Sequence, residues 1–183
     1  NHVRSGNSVD QVLRNLAAPV ANAKGMSATN RTKVANYALK YALKPNKNYH
    51  EFDQDCTNFA SQALSAGGWK YNTGFYRSDG NWWGKGIRPI YASWTWSGTP
   101  NFFRFGRLES GRLDRIPNIN NLRVGDILQY AQGSNSYNKM THTMVTTQRK
   151  NGVPLLSFHT TNTKNKPLSA ISKSGKTWWA SKV

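Results

Sequence analysis

The stretch "THTMVTTQRKNGVPLLSFHTT", Thr141–Thr161, decides the fold. Two runs rich in Thr, Val, Leu and Phe flank Asn151-Gly152, a dipeptide that favours a two-residue hairpin turn because both residues tolerate positive φ. An antiparallel sheet is therefore expected. In a regular hairpin Lys150 opposes Val153, Met144 opposes His159 and His142 opposes Thr161. Side chains on one face recur every second residue, so His142 and His159 are predicted on the same face as diagonal neighbours.

Working outward, "GDILQYA" (Gly125–Ala131) reads as a strand after a Gly-Asp turn, and "KPLSAISKSGKTWWASKV" (Lys166–Val183) offers one or two more. From Trp69 to about Asn121 periodicity is lost, and the run carries five of the seven tryptophans. A long irregular insertion of this kind is expected to shape a site. Upstream the pattern is helical. "SVDQVLRNLAAPVANAKG" (Ser8–Gly25) spaces Val9, Val12, Leu13, Leu16 and Ala17 on one face, and "TNRTKVANYALKYALKP" (Thr29–Pro45) does so with Val34, Tyr37, Ala38, Tyr41 and Ala42. A third helix starts near Cys56, with Phe59, Ala60, Ala63 and Leu64 as its buried stripe, Asp55 as its cap and Gly67-Gly68 as its exit. Helices first and an antiparallel sheet second indicate an α+β fold. At 183 residues one domain is expected, residues 29–183, preceded by a helical extension over residues 1–28.

Composition limits the partners. Twenty-five Lys and Arg against eight Asp and Glu give a net charge of +17, which implies work near a polyanion: nucleic acid, an anionic wall polymer or anionic lipid. No apolar run approaches the roughly 20 residues that span a bilayer. The N-terminus "NHVRSGNSVD" has neither an initiator Met nor a signal-peptide core, and it reads as a processed or excised product. A single cysteine excludes an internal disulfide and any multi-cysteine metal site. Asp53, Asp55 and Thr57 alternate like the start of a calcium loop, but Asn58 and Leu64 stand where the Gly and bidentate Glu are required, so no metal is expected.

Cys56 is the candidate nucleophile. A thiol attacks as thiolate, and the unpaired amides of a helix N-terminus favour negative charge. A base is required, and of the four histidines only His142 and His159 fall in strands. Together these three residues have the makings of a Cys-His site in which the third group orients the base.

These residues carry a resemblance. "DCTNFASQALSAGG", "SWTWS", "GDILQY", "HTMVTT" and "LSFHTTNTKNKPLS" occur in the order seen in the putative amidase domain family of bacterial secreted proteins, which looks like a branch of the papain-like NlpC/P60 and CHAP wall hydrolases. The similarity covers roughly Thr29 to Ile171. It implies a nucleophile helix packed on an antiparallel sheet, with Cys56 as nucleophile, His142 as general base and His159 as the residue that orients it. Asp55 matches the acidic residue before the nucleophile, and Thr57 and Asn58 the polar pair after it. It further implies a secreted amidase or peptidase acting on peptidoglycan without a cofactor. Trp94 and Trp96, two residues apart in "SWTWS", are expected to line a groove for a sugar-peptide. Two alternatives remain: a toxin domain using the same site on protein amides, and a basic nucleic-acid-binding or wall-binding module without catalysis.

Overall fold

The computed structural model describes residues 25–183. The helix expected over Ser8–Gly25 lies essentially outside that range. Helix α1 (Ala28–Tyr41) begins at Ser27, whose hydroxyl accepts the Asn30 amide at 3.2 Å. It buries Val34, Ala35 and Ala38. Helix α2 (Cys56–Ala66) packs against it, and the expected stripe of Phe59, Ala60, Ala63 and Leu64 is fully buried. The two helices meet closely at the end of α2, where a Cβ on Gly67 would stand 2.3 Å from Val34 Cγ2.

The segment expected to be irregular contains two short helices, α3 (Trp94–Ser97) and α4 (Thr99–Phe103), followed by a π-helical turn over Arg104–Glu109. Its aromatic residues form much of the core. Trp82 and Trp96 are fully buried with ring centroids 4.7 Å apart, and Trp69, Phe102 and Phe105 close around them. Trp96 is therefore a core residue and does not line a groove. Its indole follows the usual course of a large apolar ring whose N–H has found a buried acceptor.

Among the described residues, six antiparallel strands form one sheet in the order β1-β6-β2-β3-β4-β5: β1 (Asp114–Ile116), β2 (Ile127–Gln132), β3 (Met140–Lys150), β4 (Val153–Phe158), β5 (Thr163–Pro167) and β6 (Lys176–Lys182). One face, with Ile127 and Val145, packs on the helices and the aromatic core. The other, with Leu128, Met144, Leu156, Phe158 and Ala180, is covered by Leu122 and Leu168 from the connecting segments. Gly125 leads into β2 with φ +95°, and a Cβ there would stand 2.8 Å from the Arg31 carbonyl oxygen. Gly125→Ala is expected to cost roughly 2–3 kcal/mol, since it adds both backbone strain and a clash with α1. An unchanged urea midpoint would show that the loop relaxes without cost.

The hairpin turn forms as expected. Asn151 and Gly152 both have positive φ, and Lys150 pairs with Val153. The register then slips between Thr146 and Gln148, so that Val145 pairs with Ser157. Thr147 is the extra residue of a β-bulge, and its hydroxyl is tied to Ser157 Oγ and Asn165 Oδ1, each at 2.7 Å. One inserted residue reverses side-chain parity on its far side. His142 and His159 consequently lie on opposite faces of the sheet, which corrects the expectation that they share one.

Candidate active site

Cys56 is the first residue of α2, and it is 2% exposed. Asp55 stands at the cap position, but its side chain does not cap the helix. Its carboxylate is taken up elsewhere: Oδ1 accepts from the Phe52 amide at 2.9 Å and from Asn58 Nδ2 at 2.8 Å, and Oδ2 pairs with His159 Nδ1 at 2.6 Å. Asp55 thus gives the first-turn amides beside Cys56 no side-chain cap.

Asn58 extends this network. Its Nδ2 also donates to the His50 carbonyl at 2.8 Å, and its Oδ1 accepts the Trp96 indole N–H at 2.7 Å. Thr57 faces the other way, into a cluster of hydroxyls: its Oγ1 lies 2.8 Å from Thr99 Oγ1 and 2.9 Å from Thr143 Oγ1, and Gln129 Nε2 donates to Thr143 Oγ1 at 3.1 Å. The Cys56 sulfur lies 3.8 Å from both the Thr57 and Thr99 hydroxyls. Thr99, Thr143 and Gln129 did not stand out in the sequence. Gln129 had the one available signal, an amide in the middle of an otherwise apolar strand.

His159 is 1% exposed and stacked on Phe59, with ring centroids 4.0 Å apart. Its Nε2 bonds the Tyr41 carbonyl at 2.7 Å. A carbonyl can only accept, so Nε2 carries a hydrogen, and a proton between Nδ1 and Asp55 Oδ2 completes the pair. Both ring nitrogens are thus occupied, and His159 does not orient His142. It ties the last turn of α1 and the residue before Cys56 to the end of β4.

His142 opposes Tyr130 across β2 and β3 and meets the Phe158 ring edge-on at 4.8 Å. Burial, reinforced by the positive charge of Lys176, lowers its pKa from 6.5 to about 4, so it is neutral at neutral pH. No hydrogen bond joins it to Cys56. Burial, and then the neighbouring Cys56, raise the pKa of the Tyr130 phenol.

An aromatic cleft of about 730 Å³ is lined in part by Tyr76, Trp83, Ile90 and Trp94, and by Phe52 in the segment that leads to α2. Trp94 is 44% exposed, and the Arg77 guanidinium lies 5.0 Å from its ring centroid. Of the two tryptophans expected in a groove, only Trp94 reaches one.

Residues 28–181 match the family described as a putative amidase domain. The chain belongs to that family. The amidase-domain chain is 34% identical over 175 residues to the uncharacterized protein YjcM of Bacillus subtilis, covering 87% of this chain and 37% of YjcM. It is 31% identical over 131 residues to the uncharacterized protein YhbB of the same organism, covering 71% of this chain and 41% of YhbB. The alignments thus span about two fifths of either relative. No solved structure matches it.

Proposed function

We propose that this amidase-domain chain is a cysteine-dependent amide hydrolase of papain-like, NlpC/P60-type fold, secreted and acting on bacterial cell-wall peptidoglycan. Family membership supports an amide substrate. The observation that carries the cysteine is the fixation of Asp55: its carboxylate is bound by Phe52, Asn58 and His159, while the amides next to Cys56 remain uncapped.

Cys56 attacks the amide carbonyl, and the developing oxyanion is stabilised by the backbone N–H of Cys56 at the helix start. His142 takes the thiol proton and passes it to the leaving amine. It then activates the water that hydrolyses the thioester. A neutral imidazole is the form this work requires, and burial supplies it. His142 stands on the sheet face away from His159 and makes no hydrogen bond to Cys56, so its role as base is carried by the family resemblance. His159, Asp55 and Asn58 are positioning residues. The cleft at Trp94 takes the apolar faces of the substrate's sugar or peptide, and Phe52, which lines it, also donates its amide to Asp55.

The +17 charge holds the protein on anionic wall polymers through counterion release. Digestion of purified Gram-positive peptidoglycan should expose new amino and carboxyl ends by mass analysis. Rising NaCl should release the protein from intact walls while affecting hydrolysis of a small uncharged fragment much less. Walls from several Gram types yielding no new ends would reject peptidoglycan as substrate. Undiminished high-salt binding to walls stripped of teichoic acid would reject the role given to charge.

A further inference from the structure

Three sparsely populated backbone conformations meet beside Cys56. Asp55 sits in the bridge region at φ −97°, ψ 0°, and the two residues after His159, Thr160 and Thr161, are left-handed at φ 58° and 66°. A β-branched residue at positive φ is a genuine outlier, and two in succession persist only where surrounding contacts dictate them. The contact is visible. Thr160 Oγ1 accepts the Asp55 amide hydrogen at 3.0 Å. The preceding residue, His159, holds the same aspartate by its carboxylate at 2.6 Å. The left-handed turn after His159 thus allows two consecutive side chains to grip one residue, by its backbone and by its side chain.

We propose that Thr160 is a positioning residue for the oxyanion donor at Cys56, a role that rests on the amide-hydrolase reading above. Asp55 has two backbone torsions between its own amide and the Cys56 N–H. With the Asp55 amide and carboxylate both anchored, those torsions are fixed in the bridge region, and so is the direction of the Cys56 N–H. Thr160 makes no hydrogen bond to the Cys56 sulfur. Its effect reaches the reaction only through that peptide plane.

Two reagents separate this role from a general structural one. Iodoacetamide alkylates the sulfur with loss of iodide and creates no oxyanion. A small acetyl-peptide aldehyde is attacked at its carbonyl carbon: a C–S bond forms, the C=O π electrons move to oxygen, and the thiol proton ends on that oxygen, giving a hemithioacetal. Thr160→Val keeps the side-chain shape and loses the acceptor, whereas Thr160→Ser keeps the acceptor. Thr160→Val should weaken the aldehyde adduct about 10- to 100-fold while iodoacetamide alkylation stays within about threefold, and Thr160→Ser should restore the adduct. Circular dichroism melts and alkylation rates report whether Thr160→Val is folded. If it is not, Thr161→Gly, which alters the turn but leaves the Thr160 hydroxyl, serves as the second variant and should change adduct affinity in parallel with any loss of the Asp55 amide's protection from hydrogen exchange. Wild-type protein that takes neither reagent would overturn the nucleophile reading itself. Wild-type protein that is alkylated but forms no aldehyde adduct, a Thr160→Val variant that forms it as tightly as wild type, or a Thr161→Gly variant in which adduct and protection do not move together would overturn this inference alone.

Discussion

Cys56→Ala should reduce amide turnover to background, a loss of at least about 10³-fold, with the fold intact. No other thiol is present to replace it, and the Thr57 and Thr99 hydroxyls 3.8 Å from the sulfur belong to a closed buried network with Thr143. The stability change should be about 1 kcal/mol, because alanine in place of a small buried residue at a helix start leaves little cavity. In the wild type, iodoacetamide should label Cys56 under native conditions near neutral pH. Label incorporated only after denaturation would make Cys56 an inert core residue.

His142→Ala should be the next most damaging change, lowering kcat about 10²- to 10⁴-fold by removing the proton shuttle. His159→Ala should act differently, reducing activity and stability together, because it leaves the buried Asp55 carboxylate and the Tyr41 carbonyl without their partner. The pH dependence gives a separate signature for His142. The His142 pKa falls from 6.5 in the unfolded chain to about 4 in the folded one, so between these values only the unfolded chain binds the proton. Its contribution to stability is complete above pH 6.5 and declines as pH falls towards 4, by an amount on the order of 3 kcal/mol. The acid limb of kcat/KM should accordingly fall near pH 4. Melting curves of His142→Gln that keep the wild-type acid decline in full, or an activity limb at pH 6.5, would show that His142 is not held neutral.

Much of this architecture was legible in the chain. The apolar spacing in α1 and α2, the Asn151-Gly152 turn and the aliphatic strands identified an α+β domain, because each is a local signal that burial then reinforces. Cys56 at the start of α2 was equally legible. What could not be read were features decided by non-local pairing. The bulge at Thr147 depends on hydrogen bonds to Ser157 and Asn165 from two other strands, and nothing in "MVTTQRK" reveals it. Asp55 looked like a helix cap because capping is its commonest local use, and His159, more than a hundred positions away, competed for it. Trp96 looked like half of a binding platform with Trp94, yet the short helix α3 turns one indole towards Asn58 and leaves the other exposed.

The Thr147 bulge also affects how relatives should be compared. Between the two histidines, the number of intervening residues carries as much information as their identity. A homologue with one deletion in this part of β3, retaining the same turn, would present both imidazoles to the same side while aligning almost without a gap penalty. Two such proteins could share every motif letter and still present the His142 position on different faces of the sheet. A single-residue indel here would therefore change which side of the sheet carries an imidazole, at a place where ordinary alignments treat length variation as noise.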